Sequence, residues 1–208
     1  MFGVNFQTWK LHSAQDYFMF FAYILAGVLV FWLIAKHMNK QRNHEKAVEK
    51  VSARLKKICG KPGEVLKNAT LNLPEGKMTF DAVLMDKRGV YLVRTYGWGI
   101  KIYGTPDGAM WRREDAKRKE EFENPRLELK KGAAEITKVM EENGVQNLKV
   151  MPMVVFADNF QTPELYLGYG SFSTTYQELK NWYKKQSGVK EVQYDYDKVS
   201  SIIKELAK

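Results

Sequence analysis

Apolar residues change their spacing several times along the chain, and each change predicts an element. From Tyr17 to Ala35 nineteen residues run without a charge, YFMFFAYILAGVLVFWLIA. At the helical rise they span roughly 28 Å, close to the bilayer core of about 30 Å. Ala47, Val48, Val51, Leu55 and Ile58 then recur at helical spacing. This predicts an amphipathic helix over His44–Ile58, stopped by Gly60-Lys61-Pro62-Gly63. Glu64 to Leu73 reads as extended, and Pro74 to Lys77 as a turn. Two strand-like runs follow, MTFDAVLM from Met78 and VYLVRTYGWGIKIYG from Val90, around the turn Asp86-Lys87-Arg88-Gly89.

A turn at Thr105–Gly108 leads to Met110-Trp111-Arg112. Glu114 to Glu123, EDAKRKEEFE, alternates in sign and predicts a solvated loop or short helix. Asn124-Pro125 opens a long helix to about Asn143, closed by Gly144, with Leu127, Leu129, Ala133, Ile136, Val139 and Met140 as its apolar stripe. Val150 to Ala157 has the length of a buried strand, and Leu165 to Phe172 reads as another. Thr175 and Glu178 form a capping box for a helix Tyr176–Gln186, and a last helix covers Asp197 to Leu206. This order implies an α/β sandwich around a mixed sheet. Trp98, Trp111, Tyr91 and Phe156 are expected to fill core and turn corners rather than stack on bases.

The uncharged run divides the chain into a tail 1–16, a transmembrane helix 17–35, a basic linker 36–43 and a domain 44–208, with a core at about 44–160 and further elements over 161–208. A cleaved signal peptide would have a basic start and a small-residue cleavage site after a shorter apolar core. Here Lys10 alone precedes the run, while Lys36, Lys40, Arg42, Lys46 and Lys50 follow it. The expectation is a retained single-pass anchor in the cell membrane, N-terminus outside and domain cytoplasmic.

A net charge of +9 and a pI of about 9.4 suit a phosphate-bearing partner, nucleic acid or anionic lipid. The basic collar after the helix has a sufficient partner in lipid headgroups. Cys59 is the single cysteine, so no internal disulfide forms, and no Cys/His cluster has zinc spacing. His12, His37 and His44 all precede the domain core, so no histidine acid/base chemistry is expected there.

Candidate chemistry concentrates in the two central runs. Asp81 lies on the first, and Arg94 and Tyr96, two apart on the second, share one strand face. Phe80-Asp81, then Gly89-Val90-Tyr91-Leu92-Val93, then Arg94-Thr95-Tyr96-Gly97-Trp98 and Lys101-Ile102-Tyr103-Gly104, together with Trp111, Asn124-Pro125 and Val150–Phe156, stand in a fixed order. In that order the chain resembles the NERD (nuclease-related) domain over about residues 44–160. The resemblance implies a restriction-endonuclease-like α/β fold, a mixed sheet flanked by helices, here preceded by the single transmembrane helix. It also implies a PD-(D/E)xK-like site of metal-dependent phosphodiester hydrolysis.

The family's strand carries Glu-Thr-Lys-Asn where Arg94-Thr95-Tyr96-Gly97 stands here. The Asn-Pro helix carries Gln-Asn and a later His where Glu128, Leu129 and Gly132 stand. Its first helix carries a Gly-Glu, loosely matched by His44-Glu45, with Glu49 one turn on. The resemblance therefore makes Asp81, Arg94, Tyr96 and Glu45 the relic positions of a site. Mg²⁺ takes carboxylate oxygens, and Arg94 replaces one such ligand with a permanent cation. Arg94 is expected to pair with and neutralise Asp81, leaving no metal and no cofactor.

Three functions follow as expectations. The first is a catalytically inactive membrane-anchored domain that binds nucleic acid, through Arg94, Lys101, Arg112 and Arg113, or a protein. The second is an active nuclease that uses Mg²⁺ at a rearranged site of Asp81 and a migrated glutamate among Glu45, Glu49 and Glu64. The third is a structural module whose basic face contacts lipid.

Overall fold

The structure, a computed structural model, describes residues 14–41, 43–98, 100–115, 118–158, 162–186 and 194–208. Lys10 and Arg42 lie outside the described residues. The chain divides into two compact units, Met1–Lys40 and Gln41–Lys208.

In the first unit helix α1 covers Ala14–Gln41 and is apolar on every side over Tyr17–Ile34, where its side chains are exposed. It is long and apolar enough to cross a membrane.

The second unit contains α2 (His44–Cys59), β1 (Glu64–Leu73), β2 (Gly76–Asp86), β3 (Gly89–Tyr96), β4 (Lys101–Gly104), β5 (Met110–Glu114) and β6 (Lys119–Glu123). After these come α3 (Pro125–Glu142), β7 (Val150–Phe156), β8 (Glu164–Leu167), β9 (Ser173–Thr175), α4 (Leu179–Gln186) and α5 (Tyr196–Leu206). Where one mixed sheet was expected there are two, in the orders β1-β2-β3-β7-β9 and β6-β5-β4-β8. The first is antiparallel through β1, β2 and β3 and parallel from β3 to β9.

Alternation along the central strands feeds two cores, because successive side chains point to opposite sheet faces. Ala82, Leu84, Tyr91 and Val93 pack with Ala47, Val51 and Leu55 of α2 and Leu179 and Tyr183 of α4. Val83, Met85, Val90 and Leu92 pack with Leu129 and Ile136 of α3, Val199 and Ile203 of α5, and Ile102 and Trp111 of the second sheet.

Two expectations need correction. The charged run Glu114–Glu123 is neither a loop nor a helix: its ends are the strands of a hairpin. Its alternating signs become cross-strand pairs, Arg113 opposite Glu120 and Glu114 opposite Lys119, with Trp111 facing Phe122 below them. The segment Leu165–Phe172 is not one strand. It is extended only to Leu167, the end of β8; Gly170 (φ +84°) and Phe172 (φ +51°) adopt left-handed backbone, and β9 starts after them. Helix α4 also begins three residues later than expected, although the cap exists: Glu178 N donates to Thr175 Oγ1 at 3.2 Å.

Candidate functional site

Of the four site positions expected from the sequence, Asp81 and Arg94 meet, where β2 parts from β3. The β2–β3 ladder ends at Ala82 opposite Val93, so Asp81 and Arg94 are next in line without being paired in it. On the other edge, Asn68 and Asp81 stand between the pairs Lys67–Ala82 and Ala69–Phe80, and Asn68 has a left-handed φ of +50°. The side-chain alternation slips here: Phe80 joins the same core as Val83 and Met85, not that of Ala82. The freed space receives the Asp81 carboxylate, whose Oδ2 accepts the Thr95 amide hydrogen at 2.6 Å. Asp81 thus replaces a missing ladder partner and is buried.

Arg94 reaches back over this carboxylate. Its Nη1 lies 3.5 Å from Asp81 Oδ1, and its Nη2 donates to Glu128 Oε1 at 2.7 Å and to the Thr79 carbonyl at 3.2 Å. At 3.5 Å the Asp81 contact is an ion pair more than a hydrogen bond, and Glu128 is the tighter partner. Glu128 sits in the first turn of α3, whose start is pinned. Asn124 caps it by accepting from Arg126 N at 3.0 Å and donates to the carbonyls of Pro106 (3.0 Å) and Gly108 (2.8 Å). One turn on, Gly132 lets α3 close on the sheet: a Cβ there would lie 2.8 Å from Phe80 Cζ.

A third group stands at Asp81. His44 opens α2 behind its cap Asn43, and its Nε2 lies 3.5 Å from Asp81 Oδ1. His44 was set aside in the sequence because it precedes the core, yet it stands beside Asp81. The chain position of His44 ahead of the core hid the fact that α2 begins beside β2. Its neighbour Glu45 is exposed and makes none of these contacts.

Tyr96 shares the Arg94 face but turns into an aromatic cluster. Its ring stacks on Phe156 with centroids 5.5 Å apart and lies 4.8 Å from Trp98 and 5.5 Å from Phe122. Burial pushes its phenol up to about 12, against a smaller downward pull from Arg94. It is neutral at neutral pH and supplies no charge in place of a lysine.

Residues 40–157 match the family model of the nuclease-related domain, NERD. The chain belongs to the NERD family. No curated protein and no solved structure matches it. Within this NERD domain, Glu64 stands opposite Met85, four residues along β2 from Asp81, and is held by Lys204 Nζ at 2.7 Å and Ser200 Oγ at 3.2 Å. Among the described residues no three His, Cys, Asp or Glu side chains are grouped to hold a metal ion.

The other candidate cations are brought together with each other more than with Arg94. Arg112 and Arg113 lie on β5 and Lys101 on neighbouring β4. Each has a carboxylate: Lys101 has Glu164 at 3.9 Å, Arg112 has Glu114 at 3.3 Å, and Arg113 Nε donates to Glu120 at 2.9 Å while its guanidinium covers Trp98. Glu114 is held below the usual carboxylate range, first by its bond from Lys119.

Proposed function

We propose that this chain is a membrane-anchored NERD domain that binds rather than hydrolyses, with its nuclease position closed by Arg94. One observation carries the reading: a single guanidinium bridges Asp81 and Glu128, the two carboxylates nearest to where a metal would sit. Mg²⁺ asks for an octahedron of oxygens and dehydrates reluctantly. Asp81 instead gives its oxygens to the Thr95 amide, Arg94 and His44. Arginine keeps its proton at every relevant pH, so the cation is permanent. This donor set does not fit a divalent cation, and neutral Tyr96 offers no charge for a developing phosphorane.

The all-round apolar α1 supports anchoring, since such a surface is hidden from water only in lipid or a partner. With Lys36 and further cations on its C-terminal side, the reading is N-terminus outside and domain cytoplasmic. The partner is nucleic acid or protein. Arg94, Lys101, Arg112 and Arg113 each already hold a carboxylate, so phosphates gain from them only by exchanging existing pairs.

The test uses the full chain in detergent with labelled DNA and RNA, in Mg²⁺, Mn²⁺ or EDTA. Intact substrate in all three is expected, with any retention weakening across a salt series. Metal-dependent cleavage that disappears in Asp81→Ala overturns the reading and favours a rebuilt site at Asp81.

A further inference from the structure

A cluster of cations lies on the other face of the five-stranded sheet from Arg94. Helix α2 presents Lys50, Arg54 and Lys57 at spacings of three and four, so they share one face. Helix α4 faces them with Lys180 and Lys184, and Arg88 enters from the β2–β3 turn. These six cations line a cleft of about 700 Å³, and among the described residues no carboxylate lines it. That volume is in the range of small-ligand sites.

Arg94, Arg112, Arg113 and Arg126, outside the cleft, each meet a carboxylate. In the cleft both arginines are held by neutral groups. Arg54 donates to the Gln177 carbonyl at 3.2 Å and covers the Tyr176 ring at 4.5 Å. Arg88 donates to the Tyr183 carbonyl at 3.0 Å and covers the Tyr183 ring at 4.2 Å. Neutral partners fix the position of a guanidinium while leaving its charge uncompensated. Asp86, at the β2–β3 turn, is buried and accepts from the Tyr183 hydroxyl and the Arg88 amide. Crowding like charges in a concave site raises its potential, and a multiply charged anion relieves it.

We propose that this cleft is a binding site for a small phosphate-bearing anion, a soluble phosphate ester or the headgroup of an anionic phospholipid. The tyrosine and aliphatic walls suit the ester's carbon part, and the two preset guanidiniums suit bidentate contact with phosphoryl oxygens. The site is separate from the Arg94 position, so it does not depend on whether that position is catalytic.

The experiment titrates the full chain in neutral detergent with inorganic pyrophosphate and, separately, with short-chain phosphatidic acid or phosphatidylcholine, followed by calorimetry. Saturable binding of pyrophosphate, of phosphatidic acid, or of both is expected, with none of phosphatidylcholine. Pyrophosphate binding alone assigns the soluble ester, and phosphatidic acid binding alone the headgroup. The double variant Arg54→Gln/Arg88→Gln should weaken binding roughly tenfold or more. Because those arginines also pack on tyrosines, Lys57→Gln/Lys180→Gln serves as the second variant and should weaken it by a smaller factor. Lys130→Gln/Lys138→Gln, exposed on α3 across the sheet, should leave it unchanged. Absence of binding to both anions, or binding that no cleft variant weakens, overturns the proposal. An oligonucleotide that binds the cleft while both small anions fail also overturns it and reassigns the cleft to a nucleic-acid backbone.

Discussion

Arg94 and Glu128 meet at 2.7 Å across the gap between β3 and α3, closer than Arg94 approaches Asp81. The pair ties the start of α3 to the strand that carries Arg94, and it leaves Asp81 to a different task. Asp81 is first of all the acceptor for a backbone amide that the splayed strands cannot satisfy.

Asp81→Ala and Asp81→Asn should therefore separate. Alanine leaves the buried Thr95 amide without its acceptor and Arg94 with one counter-charge fewer, at a cost of ~1–3 kcal/mol. Asparagine keeps an acceptor oxygen and should cost clearly less. Urea unfolding of both variants checks this, and equal losses would contradict the backbone role.

Glu128→Gln should be mild. Glu128 is 49 % exposed, so its pair with Arg94 is screened, and the expected loss is about 1 kcal/mol or less. The same unfolding measurement with added salt should shrink the difference between Glu128→Gln and wild type.

Gly132→Ala places a methyl 2.8 Å from Phe80 Cζ and 3.4 Å from Met78 Cε. Overpacking of this kind costs ~1–3 kcal/mol, offset by up to ~1 kcal/mol of helix propensity. A lowered thermal midpoint is expected.

Alkali should unfold the domain in a defined window. Tyr96 is raised to about 12 by burial, and Tyr91, Tyr183 and Tyr194 are raised as well, each chiefly by burial. A raised folded value means the folded state holds its proton longer than the unfolded chain does. Stability is fully present below about pH 10 and falls as pH rises through about 12. The phenolate absorbance of these four should appear late and together with loss of circular dichroism; their ionisation ahead of unfolding would contradict it.

Much of this fold was legible because periodicity changes mark its boundaries. The apolar stripe of α2, the run of β1 and the Asn124-Pro125 start of α3 all agree with the structure. The NERD match over residues 40–157 brackets α2 to β7, the part whose order of motifs carried the resemblance. The second sheet stayed hidden, because cross-strand pairing of Arg113 with Glu120 turns a charged run into a hairpin, and local sequence does not encode its partner. At the site, the Asp81–Arg94 contact follows from strand neighbours, whereas Glu128 and His44 arrive from helices 34 and 37 residues away. Glu128 was visible only as a departure from the family pattern. The slip of alternation at Asp81 has no sequence signal beyond the match itself.

The proposal that Arg94 closes a nuclease position is tested most directly by metal titration of wild type and Arg94→Glu. Calorimetry with Mn²⁺ and Mg²⁺ on the full chain in detergent should show no saturable site in wild type. Arg94→Glu removes the cation and sets a third carboxylate beside Asp81 and Glu128. That variant should be less stable in EDTA and regain its thermal midpoint with Mn²⁺. A wild-type chain that binds one equivalent of metal, loses it on Asp81→Ala and cleaves nucleic acid in its presence would contradict the account.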